Sequence, residues 1–324
     1  MKTKYIALII VAIVVPAAVV SVVLFLPTQT VEISQNRNVP YQSGVEILDL
    51  TFWVNSTVEY GTVRHSEISI GFESMPGKLL DLNISINGTV GMLAPANISD
   101  DLEDMLNITF DYTILGNVLT VTSAINASDV LSYLSPRGNI TCSLLIDPSL
   151  NTTIDVLGTT AGIGFNTQAD VVIDRLSLIT ATGGVAANLV EDTIITGNIT
   201  IITATGGVNL NWQNLNVTNN IYVNITVATG GISPNITQTT GMLGNVTLDA
   251  VTATGGIDFD IDIEGAVGAW IESSVVTGGI STNTVGFTGT ESPLQSNNYP
   301  DVSNFIVDLS STTGGISVDA SYTP

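Results

Sequence analysis

A glycine pair that returns at near-constant spacing constrains this chain more than any other feature. Gly183-Gly184 recurs as Gly206-Gly207, Gly230-Gly231, Gly255-Gly256, Gly278-Gly279 and Gly314-Gly315, with a degenerate first copy at Ala161-Gly162. The intervals between first positions are 22, 23, 24, 25, 23 and 36 residues. Such a period marks a stacked repeat, in which one unit is too small to bury a core and gains one from its neighbours.

The columns around the pair describe the unit. Thr160, Thr182, Thr205, Thr229, Thr254, Thr277 and Thr313 stand before it, and Ile163, Val185, Val208, Ile232, Ile257, Ile280 and Ile316 after it. Seven positions before the pair stand Ile154, Leu176, Ile199, Val223, Leu248, Ile271 and Val307, each followed by a polar residue. Apolar–polar alternation predicts strands with one buried face. The glycines permit dihedrals or close approaches that a side chain would forbid. Three residues beyond the Ile/Val column stand Asn166, Asn188, Asn211, Asn235, Asp260, Asn283 and Asp319. This column reads as a left-handed turn position. Its side chains would stack about 4.8 Å apart into a ladder, and the Thr column could stack likewise. The expectation is a parallel β-solenoid of seven coils over residues 151–324, capped by the long last interval around Gly286–Pro300.

The block Thr-x-Thr-Gly-Gly-Val/Ile, as in Thr203–Val208 and Thr252–Ile257, resembles the bacterial and archaeal putative-adhesin family. The resemblance covers about Asn151 to Pro324, and implies a short-coil β-solenoid of Gly-containing strand turns. It implies no catalytic residues. It does not account for the 36-residue interval or for the absence of Lys, Arg and His after Arg175.

The other half reads differently. Tyr5–Leu26 is an uncharged run of 22 residues preceded by Lys2 and Lys4. This length suits a membrane-spanning signal anchor over residues 1–27 better than a cleaved signal peptide, the alternative, and places the N-terminus in the cytoplasm and the bulk of the chain outside. Residues 28–44 read as a polar linker. From 45 to 150, short alternating runs punctuated by Gly, Asn and Pro predict an antiparallel β-sandwich, interrupted by helices near 100–106 and 129–134. His65 is the one histidine and reads as structural, and the one cysteine, Cys142, as a small buried apolar residue.

Asn-x-Ser/Thr sequons begin at 13 asparagines: Asn55, Asn83, Asn87, Asn97, Asn107, Asn126, Asn139, Asn151, Asn198, Asn216, Asn224, Asn235 and Asn245. The chain's 27 Asn and 68 Ser+Thr predict about 6 by chance, so the excess points to external N-glycosylation. None begins after Asn245. Asn235 stands both in a sequon and in the turn column, and the two roles compete for one amide.

Net charge is −22, from 7 Lys+Arg against 29 Asp+Glu, which argues against a nucleic-acid partner. Asp258, Asp260, Asp262 and Glu264 alternate along one strand and so share a face. A solvated outer face is the simpler reading of them, and a weak Ca²⁺ site completed by a neighbouring coil the sharper one. No other cofactor is indicated. Trp212, Tyr222 and Trp270 would form a sugar-stacking platform if exposed together. Without late bases to act as proton carriers, no enzyme is expected. The leading expectation is a displayed, glycosylated surface protein of adhesin or structural type, with an extracellular glycan, a cell surface or another copy as partner. A carbohydrate-binding or carbohydrate-active β-helix protein, or an envelope-lattice or filament subunit, are the alternatives.

Overall fold

The computed structural model describes residues 28–56, 66–91, 98–127, 129–130, 134 and 138–324. The N-terminal part holds β1 (Thr28–Pro40), β2 (Ile47–Asn55), β3 (Ser66–Phe72) and β4 (Lys78–Gly91). Helix α1 (Ile98–Met105), β5 (Asn107–Leu115), β6 (Val118–Asn126) and β7 (Asn139–Ile146) follow. The repeat then begins with β8 (Asn151–Gly158) and β9 (Ala161–Asn166), then β10 (Val172–Thr182) and β11 (Val185–Leu189). A short β12 (Ile194–Ile195) precedes β13 (Ile199–Thr205) and β14 (Val208–Gln213), and β15 (Asn216–Val217) precedes β16 (Ile221–Thr229) and β17 (Ile232–Gln238). The last coils are β18 (Val246–Thr254) with β19 (Ile257–Glu264), and β20 (Val267–Thr277) with β21 (Ile280–Val285). Then come β22 (Phe287–Thr288), β23 (Leu294–Ser296), β24 (Ser303–Thr313) and β25 (Ile316–Thr323).

These strands form two sheets. One runs β1-β4-β7-β3-β9-β11-β14-β17-β19-β25-β21, the other β22-β23-β20-β24-β18-β16-β13-β10-β8-β2-β6-β5. Each coil gives one strand to each sheet, and from β10 onward the turn between them falls at the glycine pair. Column meets column in parallel register: Ile154 pairs with Leu176, Leu176 with Ile199, Ile199 with Val223, and Val223 with Leu248. Alternation puts these residues inside, where Leu176, Ile199, Val223 and Leu248 are fully buried.

The stacking order departs from the chain order at both ends. β18 pairs with β24, and β24 with β20, so the C-terminal coil lies between the two coils that precede it in sequence. The other sheet agrees, with β25 between β19 and β21. At the opposite end β2 lies between β6 and β8, and β3 between β7 and β9. The chain returns to the C-terminal slot through residues 297–302. Asn298 Nδ2 anchors this passage by donating to the Gly265 and Val267 carbonyls at 3.0 and 3.1 Å.

Several expectations are corrected. Residues 45–150 do not make an antiparallel sandwich: β2/β3 and β6/β7 are two further parallel coils of the same stack. They lack the glycine pair, so their pattern reads as ordinary half-buried strands. In this half antiparallel pairing is confined to the covering strands, with β1 on β4, β4 on β7 and β5 on β6. The expected linker is β1 for most of its length, recruited because Val31, Ile33 and Val39 are buried. The second expected helix falls largely outside the described residues. So do His65 and the expected anchor, Tyr5–Leu26. No helix among the described residues is long and apolar enough to cross a membrane, α1 having 8 residues. Among the described residues the fold is all-β apart from α1, with no transmembrane helix, and the single-pass placement that rested on one is withdrawn.

The Asn/Asp column is also corrected. Asn188, Asn211, Asn235, Asp260, Asn283 and Asp319 lie inside strands, and Asn166 ends one. Inward positions fall on either side of them, as Ala187 and Leu189 flank Asn188, so alternation continues through the column. The left-handed residues come later in the coil, at Asp170, Asp192 and Asn214, with φ of 64°, 65° and 46°.

Candidate functional site

The corner between the sheets is built by two glycines with different duties. The first has positive φ in all six Gly-Gly pairs, from 137° at Gly183 to 149° at Gly278. A Cβ on Gly206 would stand 2.1 Å from the Gly183 carbonyl oxygen, so no other residue fits. Its N–H donates to the threonine carbonyl of the next coil, as Gly206 does to Thr229 at 2.9 Å. The fixed threonine thus works through its backbone, and the Thr205, Thr229 and Thr254 side chains are exposed. The working hydroxyl belongs to the threonine two positions earlier. Thr180, Thr203 and Thr252 are buried and donate to the carbonyls of Ala161, Gly183 and Gly230 at 2.7, 2.9 and 3.1 Å. Ser311 does the same to Gly255 at 3.0 Å.

The second glycine has no such constraint. Gly207 and Gly231 have ordinary φ, and a Cβ there would lie 3.5 and 3.6 Å from the neighbouring coil's carbonyl. What these glycines do is leave space. They floor an open groove of about 1,470 Å³ that runs along the stack from Glu67 to Ser281. Its rim carries small or neutral side chains, including Ala186, Asn209, Ser233 and Ser317. The two carboxylates that line it, Glu67 and Asp258, stand on β3 and β19. Five strand spacings separate those strands, about 24 Å. Glycoside hydrolysis needs two carboxylates within about 5–10 Å, so this pair cannot serve it. The geometry suits a linear chain lying along the coils.

Asp258, Asp260, Asp262 and Glu264 do share the outer face of β19. Most meet hydroxyls on β25: Asp258 is beside Ser317, Glu264 beside Thr323, and Asp262 accepts from Ser321 Oγ. Asp260 instead meets Asp319. Burial pushes the Asp260 carboxyl above its ordinary value, and the charges of Asp319, Asp262 and Asp258 push the same way. Among the described residues no group of three acidic, His or Cys side chains is arranged to hold a metal ion. The amide ladder is partial: Asn211 Nδ2 donates to Asn188 Oδ1 at 2.7 Å, and Asn283 Nδ2 to both Asp319 oxygens at 3.2 Å. Asn235, between these groups, is exposed.

The aromatic residues do not converge. Trp212 is fully buried, donates to Gln238 Oε1 at 2.9 Å and meets Phe305 edge-on at 5.8 Å. Tyr222 lies on the outer face of the other sheet. Its hydroxyl donates to Asp249, which with burial and nearby charge pushes its pKa up to about 12. Trp270 packs on Tyr299 at 5.7 Å. Cys142 is free and buried, and burial pushes its thiol up to about 12.

Of the 13 sequon asparagines all but Asn97 are described, and none of these is buried. The N-terminal coils hold them close together, Asn126 pairing with both Asn55 and Asn107, and Asn87 with Asn139. Two pay for their exposure in backbone contacts: Asn198 Oδ1 accepts from Tyr222 N, and Asn245 Oδ1 from Asn304 N, each at 2.9 Å.

No protein-family model matches the chain, and no curated protein matches it. Among solved structures, a putative cell adhesion protein from Clostridium sporogenes is similar over 89% of this chain and 99% of its own, at 11% identity and a TM-score of 0.41. A putative adhesin from Bacteroides fragilis covers 89% and 96%, at 12% identity and 0.35. A putative adhesin from Parabacteroides merdae covers 90% and 96%, at 11% identity and 0.33. Likenesses at these scores carry no argument about fold or function.

Proposed function

We propose that this is an extracellular protein of adhesin or structural type, glycosylated on its N-terminal coils, which holds a linear polymer of its surroundings along the glycine-floored groove. The observation that carries the reading is the second glycine. Backbone geometry does not demand it, yet it recurs in coil after coil and keeps one continuous groove open. The separation of Glu67 from Asp258 favours holding a chain over cutting one. The sequon pattern supports display outside the cell, with sugars on the coils up to Asn245 and bare protein beyond.

The test fills the groove without touching the fold. Gly207→Leu with Gly231→Leu places two side chains on the floor where φ is ordinary. The variant is expected to keep the wild-type melting temperature within a few degrees and to lose binding to cells and to extracted extracellular polymers. Undiminished binding by the folded double variant would sink the reading. Mass spectrometry of protein from a glycosylating host should find sugars on asparagines up to Asn245.

A further inference from the structure

Sheet ends leave rows of unpaired peptide groups, and proteins ordinarily blunt them with charge, proline, brevity or cover. Apart from the two-residue branch strands β12 and β15, the two strand orders end, among the described residues, in four such edges. β1 carries Glu32, Arg37 and Pro40. β5 carries Asp111. β22 has two residues. β21, with the sequence Ile280-Ser-Thr-Asn-Thr-Val285, has no charge and no proline, and four of its six residues are β-branched.

This edge is open because of the intercalated coil. β25 takes the inner side of β21, and no strand among the described residues takes the outer side. Ile316 N–H bonds the Gly279 carbonyl at 3.0 Å, which turns the peptide groups of Ile280, Thr282 and Thr284 away from β25. On the companion sheet the same end is covered, with β23 and β22 laid antiparallel on β20. One sheet is finished here and the other is not.

Charge says what would finish it. From Leu248 to the C-terminus the chain carries ten carboxylates and no Lys, Arg or His. On the outer face beside the edge, Asp319 and Asp260 occupy consecutive strands behind Asn283, with no cation between them. A strand added to β21 would place an outward side chain opposite Asn283, about 10 Å or two strand spacings from Asp319. A Lys or Arg there has the length to lean over Asn283 toward that pair.

We infer that the free edge of β21 takes up an extended, cationic polypeptide segment of another protein as an additional strand, with backbone pairing to Ile280–Val285 and Lys or Arg directed at Asp319 and Asp260. Strand addition of this kind draws affinity from main-chain bonds and selectivity from alternate side chains. A second copy of this chain is a poor occupant, since every copy is acidic at this end and carries a net charge of −22. The inference does not depend on the groove, which lies on the corner of the coils.

The experiment uses the full chain and a synthetic octapeptide in which Lys alternates with Val and Thr, read by fluorescence anisotropy. Three comparisons accompany it: the same peptide with Glu for Lys, the Lys peptide N-methylated at alternate amides, and the Thr282→Pro and Asp319→Asn variants. The Lys peptide should bind. Removing its amides, or the Thr282 N–H by Thr282→Pro, should weaken binding at least about tenfold, and the Glu peptide should not bind. Asp319→Asn should weaken binding about three- to tenfold, with less effect at high salt. Thr282→Pro also removes the Thr282 Oγ1 bond to the Thr290 carbonyl at 2.9 Å, so the methylated peptide is the comparison that leaves the protein untouched. No binding would overturn the inference. So would equal binding of the methylated peptide, which would mean charge alone, and so would concentration-dependent self-association abolished by Thr282→Pro, which would mean the edge pairs copies.

Discussion

The two ends of the stack solve one problem in different ways. Each has a coil slotted between others out of chain order. At the N-terminal end the stack is then covered, β4 and β1 closing one sheet, β5 the other, with α1 packed against β1. The sequon asparagines crowd there, and Arg37 and Lys78 lie among the acids. At the C-terminal end cover is partial, sequons are absent and every charge is negative. Slotting a coil inward gives it neighbours on both sides. It also leaves another coil outermost. The N-terminal end spends further strands on that problem and the C-terminal end spends them on one sheet only.

The largest effect expected comes from removing the slotted coil. Deleting Ser303–Pro324 takes away the parallel neighbours of β20 and β21 and the partner of Trp212, Phe305. Loss of at least about 5 kcal/mol, seen in chemical denaturation as early unfolding of residues 246–302, is expected. Deleting β1 removes an outer strand and the burial of Val31, Ile33 and Val39, so the loss should be smaller and leave the repeat intact. Equal losses would break the comparison.

Next come two glycines of the C-terminal end. Gly314 has φ of 143°, and a Cβ there would lie 2.0 Å from the Gly255 carbonyl. Gly314→Ala should cost at least about 3 kcal/mol. Gly279, in the outermost coil, has nothing within 4 Å of a Cβ, so Gly279→Ala should change stability by less than about 0.5 kcal/mol. Thermal melts of the pair separate the closed corner from the open one.

The smallest effect concerns Asp260. Its folded-state pKa lies above its ordinary value of 3.8, so the folded state binds its proton more readily than the unfolded state. Stability from this group therefore rises as pH falls through the raised folded-state value, and is lost as pH rises through it. Asp260→Asn should raise stability at neutral pH by under about 1 kcal/mol, and the gain should shrink on acidification toward the ordinary carboxylate value. A gain that does not change with pH would mean that the proton is not responsible.

Much of this was legible in the repeat. The Ile154-to-Val307 column pairs within itself along the whole stack, and the alternating strands near 47–55, 66–72, 78–91, 107–115 and 118–126 form where alternation predicts them. What was not legible has a common physical cause. Coils with identical columns fit equally well on any neighbour, so sequence gives rungs and not their order; the 36-residue interval is the one trace of the inserted coil. The N-terminal coils lack the glycine pair, and nothing local separates them from a sandwich. The buried hydroxyl of Thr203 escaped notice because Val227 and Val275 interrupt its column, while the unbroken threonine column beside it works through backbone. Asn188 looked like a turn because Asn favours turns, but the sheet on either side holds it extended. Of the site, the shared face of Asp258 through Glu264 was legible, and the groove was not, since a glycine that leaves space looks the same as one that makes a corner.

The central claim is the order of the last coils, and amide hydrogen exchange tests it on the unmodified chain. With β25 between β19 and β21, the amides of Ser317–Tyr322 should exchange as slowly as those of Asp258–Ile263, despite lying at the chain's end. The outward amides of Ile280, Thr282 and Thr284 should exchange fast. Fast exchange along Ser317–Tyr322 with protection at Ile280, Thr282 and Thr284 would place the coils in chain order and contradict the account.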